Sequence, residues 1–241
     1  MNTVYSPPLT GPTFQRAQHV TFIQHEPRVH GGQLRIDIEA LGSSVDVVKA
    51  WTTPHGFFDS FEVAGPVVVL GGTFNAYADD IAPWLPSLRR WLARAIPAYR
   101  TVFGVCLGHQ LIAASLGGRV SVDDPRGPEK SITRIRWKSD DPFVKAIGSA
   151  PIAFADHADA VVDVPTDARI LAHSDRYIQA MRIKNAVSVQ FHPEINADVI
   201  EEWYRDDEPG NLPTYRRDFE THEKQLRDLS RRVATWIVSR G

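Results

Sequence analysis

The chain has 241 residues, of which 43% are hydrophobic and 23% charged, a composition typical of a globular protein with a full hydrophobic core. Lys and Arg number 27 against 29 Asp and Glu, so the net charge of -2 provides no general attraction to nucleic acid or to an anionic membrane. No apolar run approaches the ~20 residues that span a bilayer, and we predict a protein that binds neither nucleic acid nor membranes.

The N-terminal segment, residues 1–17, is proline-rich and lacks the basic-then-apolar pattern of a secretion signal. We predict a flexible tail over residues 1–17. The sequence that follows shows no repeat, low-complexity tract or internal boundary, and we therefore predict a single domain over residues 18–241.

The first half of this domain alternates short apolar strands with amphipathic helices. Strands are predicted at 19–24, 45–48, 66–70 and 101–105, and helices at 34–41, 82–98 and 107–116. Continuous apolar runs such as 66–70 indicate strands that are covered on both faces. Because strands that alternate with helices form parallel sheets, we predict an α/β fold with a mostly parallel central sheet and helices on both faces.

The second half changes character after Gly118. Thr133, Ile135 and Trp137 alternate with basic residues, which predicts a strand with one face in solvent. Further short strands are predicted at 152–155, 170–172, 178–183 and 187–191, and we expect them to form antiparallel hairpins added to the sheet. Two helices, at 197–205 and 215–238, complete the chain.

Cys106 is the only cysteine, which excludes an intramolecular disulfide and a cysteine-rich zinc site and fits a reducing cytoplasm. It lies between Gly104 and Gly108, where a predicted strand ends and a helix begins, which is the outline of a nucleophile elbow. A helix N-terminus favours the thiolate and directs backbone N–H groups toward a nascent oxyanion. The alternative is a small, inert core cysteine.

A nucleophilic cysteine needs a base, and His192 is the best candidate among nine histidines. It follows the predicted strand 187–191, and Glu194 lies two residues further on, so in an extended chain both side chains project to the same face. The carboxylate could then orient the imidazole, as in a Cys-His-acid triad. The alternative is a strand-end histidine beside a surface glutamate.

These two segments together resemble the class I (triad-type) glutamine amidotransferase family. Residues 104–110 match its elbow, in which a cysteine between two spaced glycines is followed by His-Gln, and residues 192–194 match its closing His-Pro-Glu. Residues 70–80 resemble stand-alone relatives of the amidotransferase domain of GMP synthetase. The resemblance spans residues 19–200 and implies that family's flavodoxin-like fold. We predict neither a cofactor nor a metal.

The resemblance also implies a role for individual residues. It makes Cys106 the nucleophile, His192 the general base and then acid, and Glu194 its orienting partner. The backbone N–H groups of Gly72 and Leu107 would form the oxyanion hole. The substrate-binding residues would be Gly71, Gln110, His157 and Asp159. Many members have proline after the paired glycines, whereas this chain has Thr73.

The function that the resemblance implies is hydrolysis of the side-chain amide of glutamine through a cysteine acyl-enzyme, in the cytoplasm. No ATP-binding domain accompanies these residues, so the ammonia would pass to a separate synthase partner. A γ-glutamyl hydrolase or peptidase that uses the same triad is the alternative, and a catalytically silent binding or regulatory subunit is a third. We expect one of two outcomes for the chain alone. Either it turns over glutamine slowly, because the loop at 71–75 is incompletely organised, or it prefers another γ-glutamyl amide.

Overall fold

A computed structural model of the chain describes residues 19–138 and 140–240. The predicted tail, residues 1–17, lies outside them, and the single-domain assignment stays a prediction. No helix in the described part of the chain is long and apolar enough to cross a membrane. The strands are β1 (His19–Gln24), β2 (Ser44–Lys49), β3 (Val67–Val69), β4 (Val102–Val105), β5 (Arg119–Ser121), β6 (Glu129–Arg134), β7 (Arg136–Trp137), β8 (Ile152–His157), β9 (Ala160–Asp163), β10 (Arg169–His173), β11 (Ile178–Ile183) and β12 (Ala186–Val189). The helices are α1 (Gly32–Ala40), α2 (Leu85–Ala95), α3 (Leu107–Ser115), α4 (Pro142–Ile147), α5 (Ala197–Asp207) and α6 (Leu212–Val238).

Eight of the described strands form one sheet, in the order β2-β1-β3-β4-β12-β11-β10-β7. The five strands from β2 to β12 in that order are parallel, whereas β11, β10 and β7 continue the sheet as antiparallel neighbours. Every residue of β3, β4 and β12 is buried, as expected for strands covered on both faces. The predicted mostly parallel sheet with added antiparallel strands is confirmed.

Helices pack on both faces of this sheet. Alternate residues of β3 serve the two faces, because Val68 belongs to one hydrophobic cluster and Val69 to the other. The cluster around Val68 receives side chains of α1, α4 and α6, and the cluster around Val69 receives those of α2 and α3. The predicted α/β layering is therefore confirmed.

The hairpins predicted in the second half do not all extend the main sheet. β6 pairs with β8, and β5 with β9, as separate two-stranded sheets, so that prediction is wrong for the strand at 152–155. β8 pairs along its whole length with β6, and the Phe154 carbonyl oxygen accepts the His192 N–H, so β8 lies beyond the end of β12. The strand predicted around residues 133–137 is also interrupted at Ile135, between β6 and β7.

The parallel strands bring their carboxyl ends to one edge of the sheet. Glu26 follows β1, Gly71 and Gly72 follow β3, Cys106 follows β4, and His192 follows β12. Ligand sites of open parallel sheets lie outside this edge. The predicted catalytic residues are therefore gathered at the place where such a fold forms its sites.

Candidate active site

Cys106 joins β4 to α3 through a sharp turn with φ 49° and ψ −103°, a conformation that costs a non-glycine residue about 1–3 kcal/mol. The glycines beside it allow close packing. A Cβ at Gly104 would lie 2.7 Å from the Gly108 carbonyl oxygen, and a Cβ at Gly108 would lie 2.1 Å from the Val69 carbonyl oxygen. The packing of α3 on β3 and β4 thus holds the elbow that the sequence predicted.

His192 and Glu194 meet through a hydrogen bond of 2.8 Å from Nδ1–H of His192 to Oε1 of Glu194. The chain between them forms a turn and does not stay extended, so the expected strand-like alternation is replaced by a local turn at Pro193. Glu194 is fully buried, and its carbonyl oxygen accepts a hydrogen bond from the backbone N–H of Gln33 in α1. Helix α1 therefore helps to hold the carboxylate against the imidazole.

His192 and Cys106 lie side by side. Nε2 of His192 lies 3.4 Å from the Asp156 carbonyl oxygen, and Sγ of Cys106 lies 3.8 Å from the same atom. Burial by itself lowers the pKa of His192, but the charges of Glu194 and Cys106 outweigh it and raise that pKa well above its ordinary value. Since both ring nitrogens face acceptors, the geometry also favours the imidazolium.

Gln190 contacts Cys106, and the sequence reasoning missed it. Its Nε2 donates a hydrogen bond to Sγ of Cys106 at 3.5 Å, and its Oε1 accepts one from Nε2 of Gln110 at 3.4 Å. Gln110 also donates to the backbone carbonyl of Asp159 at 3.2 Å. Gln190 precedes His192 by two positions, so period-two spacing along the predicted strand 187–191 could have identified it.

His109, which completes the elbow motif, has a structural position. It is fully buried, and its Nδ1 forms a hydrogen bond of 2.8 Å with Oγ of Ser188 on β12. Burial lowers its pKa to about 3, so the imidazole is neutral. It fixes α3 to the sheet and lies apart from the cleft.

The backbone of Gly71 and Gly72 passes directly beside the catalytic candidates. A Cβ at Gly71 would lie 3.3 Å from Cε1 of His192 and 3.7 Å from Cβ of Cys106, and a Cβ at Gly72 would lie 2.7 Å from the Leu107 side chain. Within residues 19–138 and 140–240, the backbone N–H groups of Gly72 and Leu107 donate no hydrogen bond. Two free donors of this kind could receive an oxyanion.

His157 and Asp159 reach the site from the end of β8. Nδ1 of His157 donates to the Asp159 carbonyl oxygen at 3.0 Å, and Nε2 lies 3.3 Å from a carboxylate oxygen of Glu129, a second residue that the sequence reasoning missed. Oδ1 of Asp159 accepts a hydrogen bond from the Asp123 N–H at 2.9 Å. Burial, with a smaller contribution from the Asp123 carboxylate, raises the pKa of Asp159.

These groups open onto one cleft of about 700 Å³, a volume within the range of sites for drug-sized ligands. Beyond His192, its wall includes Trp203, whose ring centroid lies 4.9 Å from that of His192, and Tyr204, which donates to the Asp156 carboxylate at 2.7 Å. The predicted site residues that line the cleft are Gly72, Cys106, Gln110, His157, Asp159 and His192. Gly71, Leu107 and Glu194 do not line it and lie behind these residues.

Comparison with known proteins gives one matching family model, "Glutamine amidotransferase class-I", which covers residues 34–205. The chain is 39% identical over 157 residues to a glutamine-hydrolyzing GMP synthase subunit of Halobacterium salinarum, covering 64% of this chain and 76% of the relative. It is 26% identical over 183 residues to gamma-glutamyl peptidase 4 of Arabidopsis thaliana, covering 72% of each chain. In structure it is similar to a glutamine amidotransferase from Thermotoga maritima, with a TM-score of 0.78, 24% identity and coverage of 91% of this chain and 97% of the other.

Proposed function

Because the chain belongs to the class-I glutamine amidotransferase family, we propose that it hydrolyses the side-chain amide of glutamine to glutamate and ammonia through an acyl-enzyme on Cys106. The observation that carries this proposal is the 2.8 Å contact between His192 and Glu194 beside the only thiol of the chain, at a strand-to-helix elbow. These are the parts that nucleophilic acyl transfer requires.

In the first half-reaction, Nε2 of His192 takes the proton of the Cys106 thiol, and the sulfur attacks the amide carbon of the glutamine side chain. The C–N bond then breaks, His192 gives its Nε2 proton to the departing nitrogen, and a γ-glutamyl thioester and ammonia result. The raised pKa of His192 keeps this proton available at neutral pH. Glu194 holds Nδ1 and stabilises the imidazolium, as the orienting acid of a triad does.

In the second half-reaction, water replaces ammonia at Nε2 of His192. His192 accepts a proton from the water as the oxygen attacks the thioester carbon, and it returns this proton to the departing sulfur as the C–S bond breaks, which gives glutamate and the free thiol. In both halves the N–H groups of Gly72 and Leu107 would receive the oxyanion. Loss of one such donor typically costs about 100-fold to 1,000-fold in kcat.

We assign Gln110, His157 and Asp159 to the other end of glutamine. Gln110 and Asp159 line the cleft and are linked by the hydrogen bond from Gln110 to the Asp159 backbone. Both ring nitrogens of His157 face acceptors within the protein, so His157 would act mainly by holding the Asp159 backbone. Gly71 would act through its backbone, which lies against His192.

The ammonia produced would pass to a separate synthase chain. Relatives of the chain carry the name of a glutamine-hydrolyzing GMP synthase subunit, which supports a division of the reaction between two chains. The synthase partner and the final acceptor of the nitrogen belong to the proposal, as does an intracellular location.

The second candidate is hydrolysis of larger γ-glutamyl amides or peptides. The acyl group is the same as in glutamine, so the residues named above would serve unchanged. The cleft of about 700 Å³ favours this candidate, since it is larger than one amino acid requires, and so does the similarity to gamma-glutamyl peptidase 4. The general acid must lie beside the leaving amine, so a larger leaving group would occupy the space near Trp203 and Tyr204.

Steady-state kinetics of the purified chain on glutamine, glutathione and simple γ-glutamyl amides test both candidates. We expect release of ammonia or amine that Cys106→Ala abolishes, because the thioester cannot form. Circular dichroism should show an unchanged fold, since only one small side-chain atom is lost.

Slow turnover of glutamine alone would support a partner-dependent amidotransferase, and fast turnover of a larger γ-glutamyl amide would support the peptidase. Hydrolysis that persists in Cys106→Ala would contradict both candidates. Fast turnover of glutamine with no partner present would contradict the expected dependence on a synthase.

A further inference from the structure

The loop that carries the Gly72 N–H is tied down by a carboxylate to which no motif assigns a role. Oε1 of Glu26 accepts the backbone N–H of Thr73 at 2.5 Å, and Oε2 accepts the Thr73 hydroxyl at 3.1 Å. Both carboxylate oxygens are thus used on one residue, and that residue directly follows Gly72. Hydrogen bonds to an ionised carboxylate are roughly twice as strong as neutral ones.

The sheet brings these residues together. β1 and β3 are parallel neighbours, with Ile23 opposite Val69, so Glu26 and Gly72 each lie three residues beyond a matched pair. The side chain of Gln24 donates to the carbonyl oxygens of Glu26 and Pro27 at 2.8 and 3.1 Å, which fixes the backbone from which Glu26 extends. The two hydrogen bonds from Thr73 to Glu26, which we call the clamp, therefore start from a rigid edge of the sheet.

The next residue of the loop is held as well. Phe74 packs edge-on against His25 and Trp84, and Nε1 of Trp84 donates to Nδ1 of His25 at 3.1 Å. Gly72 is thereby fixed between the His192-facing backbone of Gly71 and an anchored Thr73-Phe74 pair. A shift of about 1 Å at a catalytic group can cost on the order of 100-fold in rate, so this anchoring bears directly on the proposed oxyanion hole.

We propose that Glu26 is a positioning residue that aims the Gly72 N–H by holding Thr73, and this inference rests on the proposed function. The clamp requires a backbone N–H at position 73, which proline lacks. It thus gives a reason for Thr73 at a position where the resemblance leads one to expect proline. It also implies that the loop at 71–75 is organised in the isolated chain, contrary to the incomplete organisation expected from the sequence, so slow turnover of glutamine would need another cause.

The test compares kcat and KM of Glu26→Ala, Glu26→Gln and Thr73→Pro with the wild type, on the γ-glutamyl amide that the wild type turns over fastest. We expect kcat to fall about 10-fold to 100-fold in Glu26→Ala and Thr73→Pro with KM little changed. Glu26→Gln should recover most of the loss, because its amide oxygen can still accept the Thr73 N–H. Glu62→Ala, at an 86% exposed side chain, is the matched control.

Alkylation of Cys106 by iodoacetamide distinguishes a misplaced Gly72 N–H from a general disruption of the site. The reaction displaces iodide and forms no oxyanion, so it does not depend on that N–H. Its rate should stay at the wild-type value in every variant, and thermal unfolding should confirm that each one folds. Wild-type kcat in Glu26→Ala, or a parallel fall in kcat and alkylation rate, would overturn the clamp. A wild-type chain that hydrolyses no γ-glutamyl amide but is alkylated normally would instead overturn the proposed function.

Discussion

The charge on His192 depends on the carboxylate of Glu194. Oε1 of Glu194 accepts the Nδ1–H of His192, whereas Oε2 is buried and has no hydrogen-bond partner among the described residues. Burial opposes the imidazolium, and the adjacent negative charges of Glu194 and Cys106 more than offset it, so the pKa of His192 is raised. In the proposed mechanism His192 must carry a proton to release ammonia, so activity is expected to fall as the pH rises through this raised pKa.

Glu194→Gln should therefore move the alkaline limb of kcat/KM to lower pH, by about one unit or more. The amide keeps the shape of the side chain but removes the negative charge that favours the imidazolium, so His192 loses its proton earlier. The measurement is a pH profile of kcat/KM on the best substrate. Glu202→Gln, at an exposed residue paired with His30, is the control, and an alkaline limb at the wild-type pH in Glu194→Gln would refute the electrostatic role.

Among single site residues, the sequence predicted those that lie in short motifs. Cys106 is recognisable because its elbow is local, and His192 and Glu194 are recognisable because they are two positions apart. Glu26 and Glu129 were not predicted. Their partners, Thr73 and His157, are distant in the sequence and come close to them only because the strands pair. No local pattern records such a contact.

The elbow depends on how closely α3 approaches β3. A methyl group at Gly108 would lie 2.1 Å from the Val69 carbonyl oxygen, which is rigid backbone, so α3 would have to move away from the sheet. Gly108→Ala should lower the free energy of unfolding by about 3 kcal/mol or more. Chemical denaturation of Gly108→Ala beside Gly210→Ala, where the added methyl group meets no atom within 4 Å, measures the difference. Equal stability of the two variants would show that α3 can shift freely.

Among the elements, three agree closely with the predictions. β1 and β11 have the predicted bounds, and α3 ends one residue early, because these elements are specified by their own residues and by the glycines that follow α3. The short elements α4, β5 and β9 were not predicted, since elements of three to six residues carry too little periodicity. The separate β6–β8 ribbon was missed because pairing depends on which sheet edges are free.

In the whole molecule, α6 belongs to the core although it begins beyond residue 205, where the family model ends. Its large buried side chains include Phe219, Leu226, Leu229, Val233, Trp236 and Ile237. Without α6, the side chains of α1 and α4 in the cluster around Val68, such as Leu34, Ile38 and Phe143, would lose their cover and be exposed to water.

A chain that ends at residue 211 should therefore fail to fold cooperatively, and one that ends at residue 239 should unfold near the wild-type temperature. Thermal unfolding followed by circular dichroism compares the two. A cooperative transition in the shorter chain would mean that the sheet and the other five helices of the described residues form a stable core without α6.

Stability and chemistry make opposite demands at position 106. The φ of 49° costs a non-glycine residue about 1–3 kcal/mol, whereas a glycine there would lose about 0.5–1 kcal/mol through the greater freedom of its unfolded chain. Cys106→Gly should consequently unfold at a higher temperature than Cys106→Ala, although neither carries a thiol, and a lower temperature for the glycine variant would mean that the turn is relaxed. Selection for a robust fold alone would discard the sulfur, so a catalytically silent descendant of this chain would be expected to carry glycine at its elbow.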